Sequence, residues 1–160
     1  MNVVLVAPEI PQNTGNIGRL CVSTGSKLHL IKPLGFSLED KYLKRAGMDY
    51  WKHVDYNLYE NWEDFLARNP DPVLYFFSTK TETVFWDCPY QAGCYLVFGN
   101  EGSGLLPDFY TRYRDKMFTI PMPGEFFRSL NIANSVAIAL YEGIRRTSGN
   151  CKSSRGDNIQ

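Results

Sequence analysis

Long apolar runs, an excess of charge of one sign and closely paired cysteines are all missing from this sequence of 160 residues. No run of 18 apolar residues occurs, and the first apolar stretch ends at Pro8 without a basic leader, so neither a membrane helix nor a signal peptide is predicted. Basic and acidic residues both number 17, which excludes a chain charged all over for wrapping nucleic acid or coating an anionic membrane. Any polyanionic partner must therefore meet a local patch.

The few cysteines and histidines are poorly placed for a metal site. No Cys-x-x-Cys pair occurs, and the two histidines, His29 and His53, stand far apart in the sequence. A zinc site is therefore not expected. Without a predicted leader, we expect a cytoplasmic protein with reduced thiols.

Short apolar runs alternate with helical patterns along the chain. Buried strands are predicted over residues 3–7, 28–32, 73–77, 94–98 and 117–120, which are brief and bounded by Gly, Pro or Asp. Helices are predicted from an Asn13 cap to Thr24, from Ser37 to Gly47, after an Asn61 cap over 62–68, and from Pro107 to Tyr113. This alternation indicates an α/β domain with a largely parallel sheet flanked by helices.

The final helix has the clearest pattern. From Leu130 to Ile144, apolar residues recur every three or four positions, and Arg145 and Arg146 suit the negative end of the helix dipole. We therefore predict one domain over residues 1–146. Residues 147–160, rich in Ser, Gly and charge, are predicted to be a disordered tail.

Ligands of parallel α/β sheets bind beyond the carboxyl ends of the strands, where three loops stand out. The first, residues 8–19, combines polar amides, two prolines and two glycines in a turn whose free backbone N–H groups can face an anion. Arg19 lies six residues after Asn13, fewer than two helical turns into the helix. A capped helix start with Arg19 as a surface charge is the alternative interpretation.

The second loop, residues 98–105, has three glycines in six positions, which let the backbone approach a ligand or another segment closely. Its spacing matches neither the dinucleotide-binding G-x-G-x-x-G pattern nor a P-loop. Glu101 has no evident structural reason to stand among glycines, although a tight turn without a ligand remains the alternative.

The third loop, residues 120–131, joins the last strand to the last helix. Ser129 is a plausible N-cap, which leaves Leu130 and Asn131 in the first helical turn. Capping alone would account for Ser129, so a purely structural role stays open.

These loops, in this order and each at a strand end, resemble the three signature motifs of the SPOUT family of S-adenosylmethionine-dependent RNA methyltransferases. Residues 9–21, 24–25, 28–31 and 33–36 look like its small TrmL (YibK-type) subfamily. The resemblance continues through Lys41 and residues 45–47, 49–50 and 141–142, and so covers about residues 1–146. One stretch, residues 123–128, looks about one residue longer and more aromatic than the subfamily pattern.

The resemblance implies a fold and a reaction. The fold is a parallel sheet with a deep C-terminal trefoil knot, a topology that general rules do not predict. The chain is expected to act as a homodimer with the active site between subunits and without an added RNA-binding domain. The implied substrate is the tRNA anticodon loop, 2′-O-methylated at the wobble cytidine or modified uridine, nucleotide 34.

The resemblance also implies which residues form the site. S-adenosyl-L-methionine is the expected donor, leaving S-adenosyl-L-homocysteine, with no metal. The expected cofactor-binding residues are Phe77, Thr79, Gly99, Ile120, Ser129 and Leu130. The expected catalytic residues are Arg19, Glu101, Asn131 and Tyr141. Family accounts make the arginine a general base, but a guanidinium stays protonated at any protein pH, so holding a phosphate or stabilising an alkoxide is easier for it.

Other interpretations remain open at this point. A 2′-O-methyltransferase for another tRNA site or for ribosomal RNA would share all three loops. A non-catalytic RNA-binding protein would need no intact cofactor pocket. Lys41, Lys44 and Arg45 are predicted to form a phosphate-facing patch or an ordinary solvated helix face.

Overall fold

A computed structural model of the chain describes residues 1–39, 49–126 and 129–148. The strands of the described residues are β1 (Asn2–Val6), β2 (Lys27–Ile31), β3 (Tyr56–Tyr59), β4 (Leu74–Phe77), β5 (Tyr95–Phe98) and β6 (Met117–Phe118). They form one sheet in the order β3-β2-β1-β5-β4-β6, and every neighbouring pair is parallel. The predicted α/β fold with a parallel sheet is confirmed.

The strand predictions differ from the structure at the edges of the sheet. Strand β3 was not predicted, because residues 56–59 are half exposed and do not form a continuous apolar run. The predicted strand over 117–120 shortens to two residues. Beyond β6, Thr119 makes its hydrogen bonds to Thr83 and Phe85 instead of to β4.

The helices of the described residues are α1 (Pro11–Thr24), α2 (Trp62–Arg68), α3 (Phe109–Arg112) and α4 (Ile132–Thr147). The Asn61 cap is confirmed, since its side chain accepts a hydrogen bond of 2.8 Å from the Asp64 N–H. The helix predicted from Pro107 to Tyr113 is shorter at both ends. Residues 40–47 of the helix predicted from Ser37 lie outside the described residues.

Two predicted helix caps are wrong. Helix α1 begins at Pro11, which needs no N–H partner in the first turn, so Asn13 lies inside the helix and does not cap it. Helix α4 begins at Ile132, with Asn131 as its cap: the Asn131 side chain accepts from the N–H groups of Ala133 and Asn134. Ser129 therefore precedes the helix, and Leu130 and Asn131 are not in its first turn.

The two faces of the sheet are covered differently. Helices α1 and α4 pack together on one face, over a mixed hydrophobic cluster that includes Val3, Leu5 and Leu140. The other face carries what we call the aromatic layer: Tyr59, Trp62, Phe65, Phe76, Phe109 and Tyr113. None of the helices in the described part of the chain combines the length and apolarity needed to cross a membrane.

The chain after β6 is flanked on both sides by earlier segments. Ser78 donates to the Phe118 carbonyl at 3.0 Å, while Thr119 donates to the Thr83 carbonyl at 2.8 Å and accepts from the Phe85 N–H at 2.9 Å. The polypeptide leaving β6 therefore lies against the connection between β4 and β5. The trefoil knot itself stays a prediction.

Candidate active site

A cavity of about 700 Å³ lies at the carboxyl edge of the sheet. Parallel strands bring their carboxyl ends to one edge, so the loops after β4, β5 and β6 meet there. Eight of the ten residues expected to form a site line this cavity: Phe77, Thr79, Gly99, Glu101, Ile120, Ser129, Leu130 and Asn131. The structure thus brings together most of the site predicted from sequence.

Aromatic rings form an apolar wall of the cavity. Phe77 and Phe98 end adjacent strands β4 and β5, and their rings stack with centroids 4.9 Å apart. Both rings are largely buried, and Leu105 beyond them is buried as well. This wall suits a flat or apolar part of a ligand.

The glycine loop after β5 is a closed turn that also lines the cavity. Asn100 and Gly104 exchange backbone hydrogen bonds of 3.0 and 3.1 Å, and Gly104 has a φ of 78°, which favours glycine. A Cβ on Gly99 would overlap the backbone of Gly104 and Leu105. Close packing of the loop on itself therefore explains why residue 99 is glycine.

A network of side-chain hydrogen bonds, which we call the polar clasp, joins all three loops. It consists of Asn13, Glu101 and Asn131. The Glu101 carboxylate accepts from the backbone N–H groups of Glu9 at 2.8 Å and Ile10 at 3.3 Å, and from the Asn13 amide at 3.0 Å. The Asn13 carbonyl oxygen in turn accepts from Asn131 Nδ2 at 2.9 Å.

The clasp determines the charge state of Glu101. Its partial burial favours the neutral acid, but the hydrogen bonds from Glu9, Asn13 and Ile10 outweigh burial and hold the pKa of Glu101 below its usual value. The carboxylate is therefore ionised and already accepts three hydrogen bonds. This arrangement suits holding loops in place better than accepting a proton during a reaction.

Two further side chains on the cavity wall, Lys80 and Tyr110, were not predicted from sequence, and both lie near Ser78 of the predicted turn 77–79. The Ser78 and Tyr110 hydroxyls lie 3.0 Å apart, and Lys80 Nζ lies 5.3 Å from the centre of the Tyr110 ring. Lys80 has no ion pair with residues 1–39, 49–126 or 129–148. Among the described residues that line the cavity, Lys80 is the one with a positively charged side chain. Its position directly after β4, at the ligand-binding edge, is the signal that could have identified it.

Arg19 and Tyr141 do not line the cavity of a single chain. Arg19 is exposed on α1, with its guanidinium 5.8 Å from the centre of the Tyr50 ring. Tyr141 is 55% exposed on α4. Both side chains therefore reach the solvent-facing side of the packed helix pair α1 and α4.

Two other expectations concern metal ions and a basic patch. Within the described ranges, no group of three or more His, Cys, Asp or Glu side chains is arranged to hold a metal ion. Lys41, Lys44 and Arg45 lie outside the described residues, so the predicted patch stays a prediction.

Comparison with known proteins identifies relatives along nearly the whole chain. The model of the SpoU rRNA Methylase family matches residues 1–141. The tRNA (cytidine(34)-2'-O)-methyltransferase of Burkholderia ambifaria is 44% identical over 149 residues, which cover 91% of this chain and 94% of the relative.

Solved structures share the fold. One, described as "Structural insights into the 2-OH methylation of C/U34 on tRNA", has a TM-score of 0.83 and 43% identity, covering 91% of this chain and 94% of that one. An AdoMet-bound rRNA methyltransferase from Sinorhizobium meliloti has a TM-score of 0.76 and 25% identity, covering 91% of this chain and 56% of that one. The relatives thus include a structure that contains the expected methyl donor.

Proposed function

The chain belongs to the SpoU rRNA methylase family, and from this premise we propose that it transfers a methyl group from S-adenosyl-L-methionine to a tRNA ribose 2′-hydroxyl. The proposed acceptor is nucleotide 34, the wobble cytidine or modified uridine of the anticodon loop. The Burkholderia relative is named for cytidine 34 of tRNA, and one similar solved structure is described as concerning C/U34. The observation that carries this proposal is the convergence of eight expected site residues on one cavity.

The cavity fits the methyl donor. Its volume of about 700 Å³ lies within the roughly 300 to 1,000 Å³ usual for small-molecule sites. Phe77 and Leu130 offer apolar contacts, and Thr79, Gly99, Ile120 and Ser129 line the rest of the wall. Lys80 offers a positive charge that would pair with the donor's carboxylate. When bound, S-adenosyl-L-methionine supplies a methyl group that its sulfonium already activates.

The chain's own contribution is mainly positioning. The polar clasp holds the loops after β1, β5 and β6 in one arrangement, so that the groups lining the cavity are in place before a ligand arrives. Correct placement of two reactants can contribute roughly 7 to 11 kcal/mol to lowering a barrier. A site of ordered loops can therefore provide much of the catalysis.

Arg19 is proposed to act on the acceptor side. Its guanidinium stays protonated, so it holds the phosphate next to the target ribose or stabilises the developing alkoxide. In a single chain it does not line the cavity, which supports the expectation that a second copy completes the site. The exposed stripe of α4, made of Asn134, Ile138, Tyr141 and Arg145, offers such a copy a surface with apolar contacts.

The homodimer, the trefoil knot, the extent of the domain over residues 1–146 and the cytoplasmic location are parts of this proposal. The contacts of Thr119 with Thr83 and Phe85 support the knot. Sedimentation equilibrium of the purified chain tests the dimer.

Mass spectrometry of tRNA nucleosides from cells with and without the gene tests the substrate. We expect one or more 2′-O-methylated wobble nucleosides to disappear with the gene. If none disappears, the assignment to nucleotide 34 is wrong. Methylation in vitro of tRNAs altered at nucleotide 34 then separates this function from methylation at another tRNA site or on ribosomal RNA.

A substitution at Arg19 tests the mechanism. Arg19→Lys is expected to keep donor binding and to lose most transfer, because an ammonium cannot contact a phosphate through two N–H groups. Arg112→Lys is the matched control, since the Arg112 guanidinium also lies over a ring, 5.2 Å from the centre of Tyr113. Near-normal turnover of Arg19→Lys would remove Arg19 from the mechanism.

A non-catalytic RNA-binding protein is separated from the enzyme by donor binding. Gly99→Val is unsuitable for this purpose, because the added carbons would overlap the loop's own backbone and deform it. Direct titration of the unaltered chain with S-adenosyl-L-homocysteine is the better measurement. Absence of binding would favour the non-catalytic alternative.

A further inference from the structure

Phe126 exposes an unusual amount of apolar surface next to the cavity. Its side chain is 90% exposed, and no other large hydrophobic residue in the described ranges exceeds 55%. Burying a phenylalanine side chain is generally favourable, and Phe126 keeps nearly all of its surface in solvent. A partner with an apolar face would gain from covering it.

The surroundings of Phe126 form a second, smaller cavity of about 320 Å³. Met122, Ser129 and Leu130 line both this cavity and the larger one, so the two are neighbours that share a wall. A ligand group that emerges from the donor cavity at this wall meets Phe126.

We propose that Phe126 is a stacking platform for an unpaired RNA base at or beside the methylated nucleotide, an inference that rests on the proposed function. The reacting ribose must lie at the donor cavity. The base attached to that ribose lies beside it, and the neighbouring bases are one nucleotide away. Proteins recognise single-stranded RNA by stacking splayed bases on aromatic side chains. Phe126 is an exposed ring at that place.

An exposed carboxylate precedes the ring in the chain. Glu125 comes directly before Phe126 and is also exposed. A phosphate close to Glu125 would be repelled, whereas the face of a neutral base would not. This neighbour favours a base as the group that contacts the ring.

A second copy of the chain is the alternative occupant of this surface. The centres of protein interfaces are depleted of charged residues, whereas the exposed Glu125 lies directly beside Phe126 in the chain. An RNA base next to the donor cavity is therefore the favoured occupant, and the self-association of the Phe126 variants distinguishes the two.

Binding of an anticodon stem–loop RNA to Phe126 variants tests the proposal. Stacking is worth roughly 1 to 3 kcal/mol per base, so Phe126→Ala is expected to raise the Kd for the RNA about 5- to 150-fold. Phe126→Trp should retain binding within about threefold. Trp86→Ala is the matched control, because Trp86 is also exposed and lines neither cavity.

Abasic substitutions along the loop RNA identify the stacked base. Removing that base should weaken binding to the unaltered chain but have no further effect on Phe126→Ala, because the two changes remove the same contact. The Kd for S-adenosyl-L-homocysteine, measured in parallel, should be the same in Phe126→Ala and the unaltered chain, which shows that the variant folds.

Three results would overturn the inference. They are an unchanged RNA Kd in Phe126→Ala, additive effects of Phe126→Ala with every abasic position, and a loss of self-association in Phe126→Ala that accounts for its weaker RNA binding. Failure of the proposed function looks different, since the unaltered chain would then fail to bind the anticodon stem–loop RNA, whether or not it binds S-adenosyl-L-homocysteine.

Discussion

The aromatic layer and the polar clasp are both held by side chains, but they fill space in opposite ways. In the layer, Trp62 lies 4.9 Å from Phe65 and 4.7 Å from Phe109 between ring centres, and Phe76 stacks on Tyr113 at 4.4 Å. At the clasp, hydrogen bonds hold three loops around an open volume of about 700 Å³. In the aromatic layer the side chains pack closely against one another, whereas in the polar clasp they keep a cavity open.

The polar groups of the two regions show the same difference. In the layer they are enclosed: Trp62 Nε1 donates to the Tyr113 hydroxyl at 3.0 Å, and His29 Nδ1 lies 2.8 Å from the Tyr59 hydroxyl. In the clasp they connect distant parts of the sequence: Asn13 is 88 residues from Glu101 and 118 residues from Asn131. We therefore expect changes in the layer to reduce stability and changes in the clasp to reduce function.

The largest expected effect is loss of stability in Phe65→Ala. Phe65 is fully buried among rings, and truncating such a residue costs roughly 3 to 5 kcal/mol of unfolding free energy. Urea denaturation measures the loss. At a temperature where the variant remains folded, its affinity for S-adenosyl-L-homocysteine should match that of the unaltered chain.

Leu130→Ala is the counterpart at the cavity. Leu130 is partly exposed, so its truncation should cost about 1 kcal/mol or less in stability while weakening S-adenosyl-L-homocysteine binding. Equal effects of both variants on both measurements would contradict the division between the two regions.

The next effect is a pH dependence that originates in the layer. Burial lowers the pKa of His29 to about 4 from its usual 6.5. Above pH 6.5 the ring is neutral in both states and the stability is complete. Between pH 6.5 and 4 the unfolded chain binds a proton that the folded chain excludes, so unfolding free energy should fall by about 3 kcal/mol as the pH falls.

Denaturation of His29→Gln between pH 7 and 4 measures this dependence. The slope of unfolding free energy against pH should become flatter, because the variant lacks the one proton that His29 binds on unfolding. His53→Gln is the matched control for the removal of a histidine, because His53 is exposed. A flatter slope in the control alone would contradict the assignment to His29.

A smaller effect on stability, with a larger one on function, is expected for Glu101→Gln. An amide has one acceptor oxygen where the carboxylate accepts three N–H groups, and an unpaired buried donor costs about 1 to 3 kcal/mol. Since this site is partly exposed, we expect the low end for stability. Both donor affinity and methyl transfer should fall, because the loops lose their common anchor.

This variant separates a clasp from a proton acceptor. If Glu101 accepted a proton in the reaction, Glu101→Gln would lose transfer while the Kd for S-adenosyl-L-homocysteine stayed the same. Glu63→Gln, an exposed carboxylate on α2, is the control for a change of charge.

The smallest effect is expected for Lys80→Met. If Lys80 pairs with the donor's carboxylate, the Kd for S-adenosyl-L-homocysteine should rise by up to about fivefold, as for an exposed charge pair. The Kd for 5′-methylthioadenosine, which lacks that carboxylate, should not change. Lys116→Met controls for the loss of a surface charge. If Lys80→Met raised the Kd for both ligands equally, the proposed pairing would be contradicted.

Local patterns were enough to predict much of the fold. Asn61 caps α2 and Gly25 ends α1 with a φ of 62°, as their residue types indicate, because such ends depend on a few neighbouring atoms. The edge strand β3 was missed, because half-exposed edges lack a continuous apolar run. Asn13 was misassigned as a cap, since its partners Glu101 and Asn131 are distant in sequence.

The sequence by itself determined the alternation of strands and helices, the three loops at the strand ends and, through its family motifs, most residues of the cavity wall. Only the tertiary structure decided that Glu101 is an anchor, that Gly99 is required by its own loop and that Arg19 and Tyr141 do not line the cavity of a single chain. The physical reason is that periodicity and capping depend on neighbours along the chain. Hydrogen bonds, ring contacts and exposure depend on segments that only folding brings together.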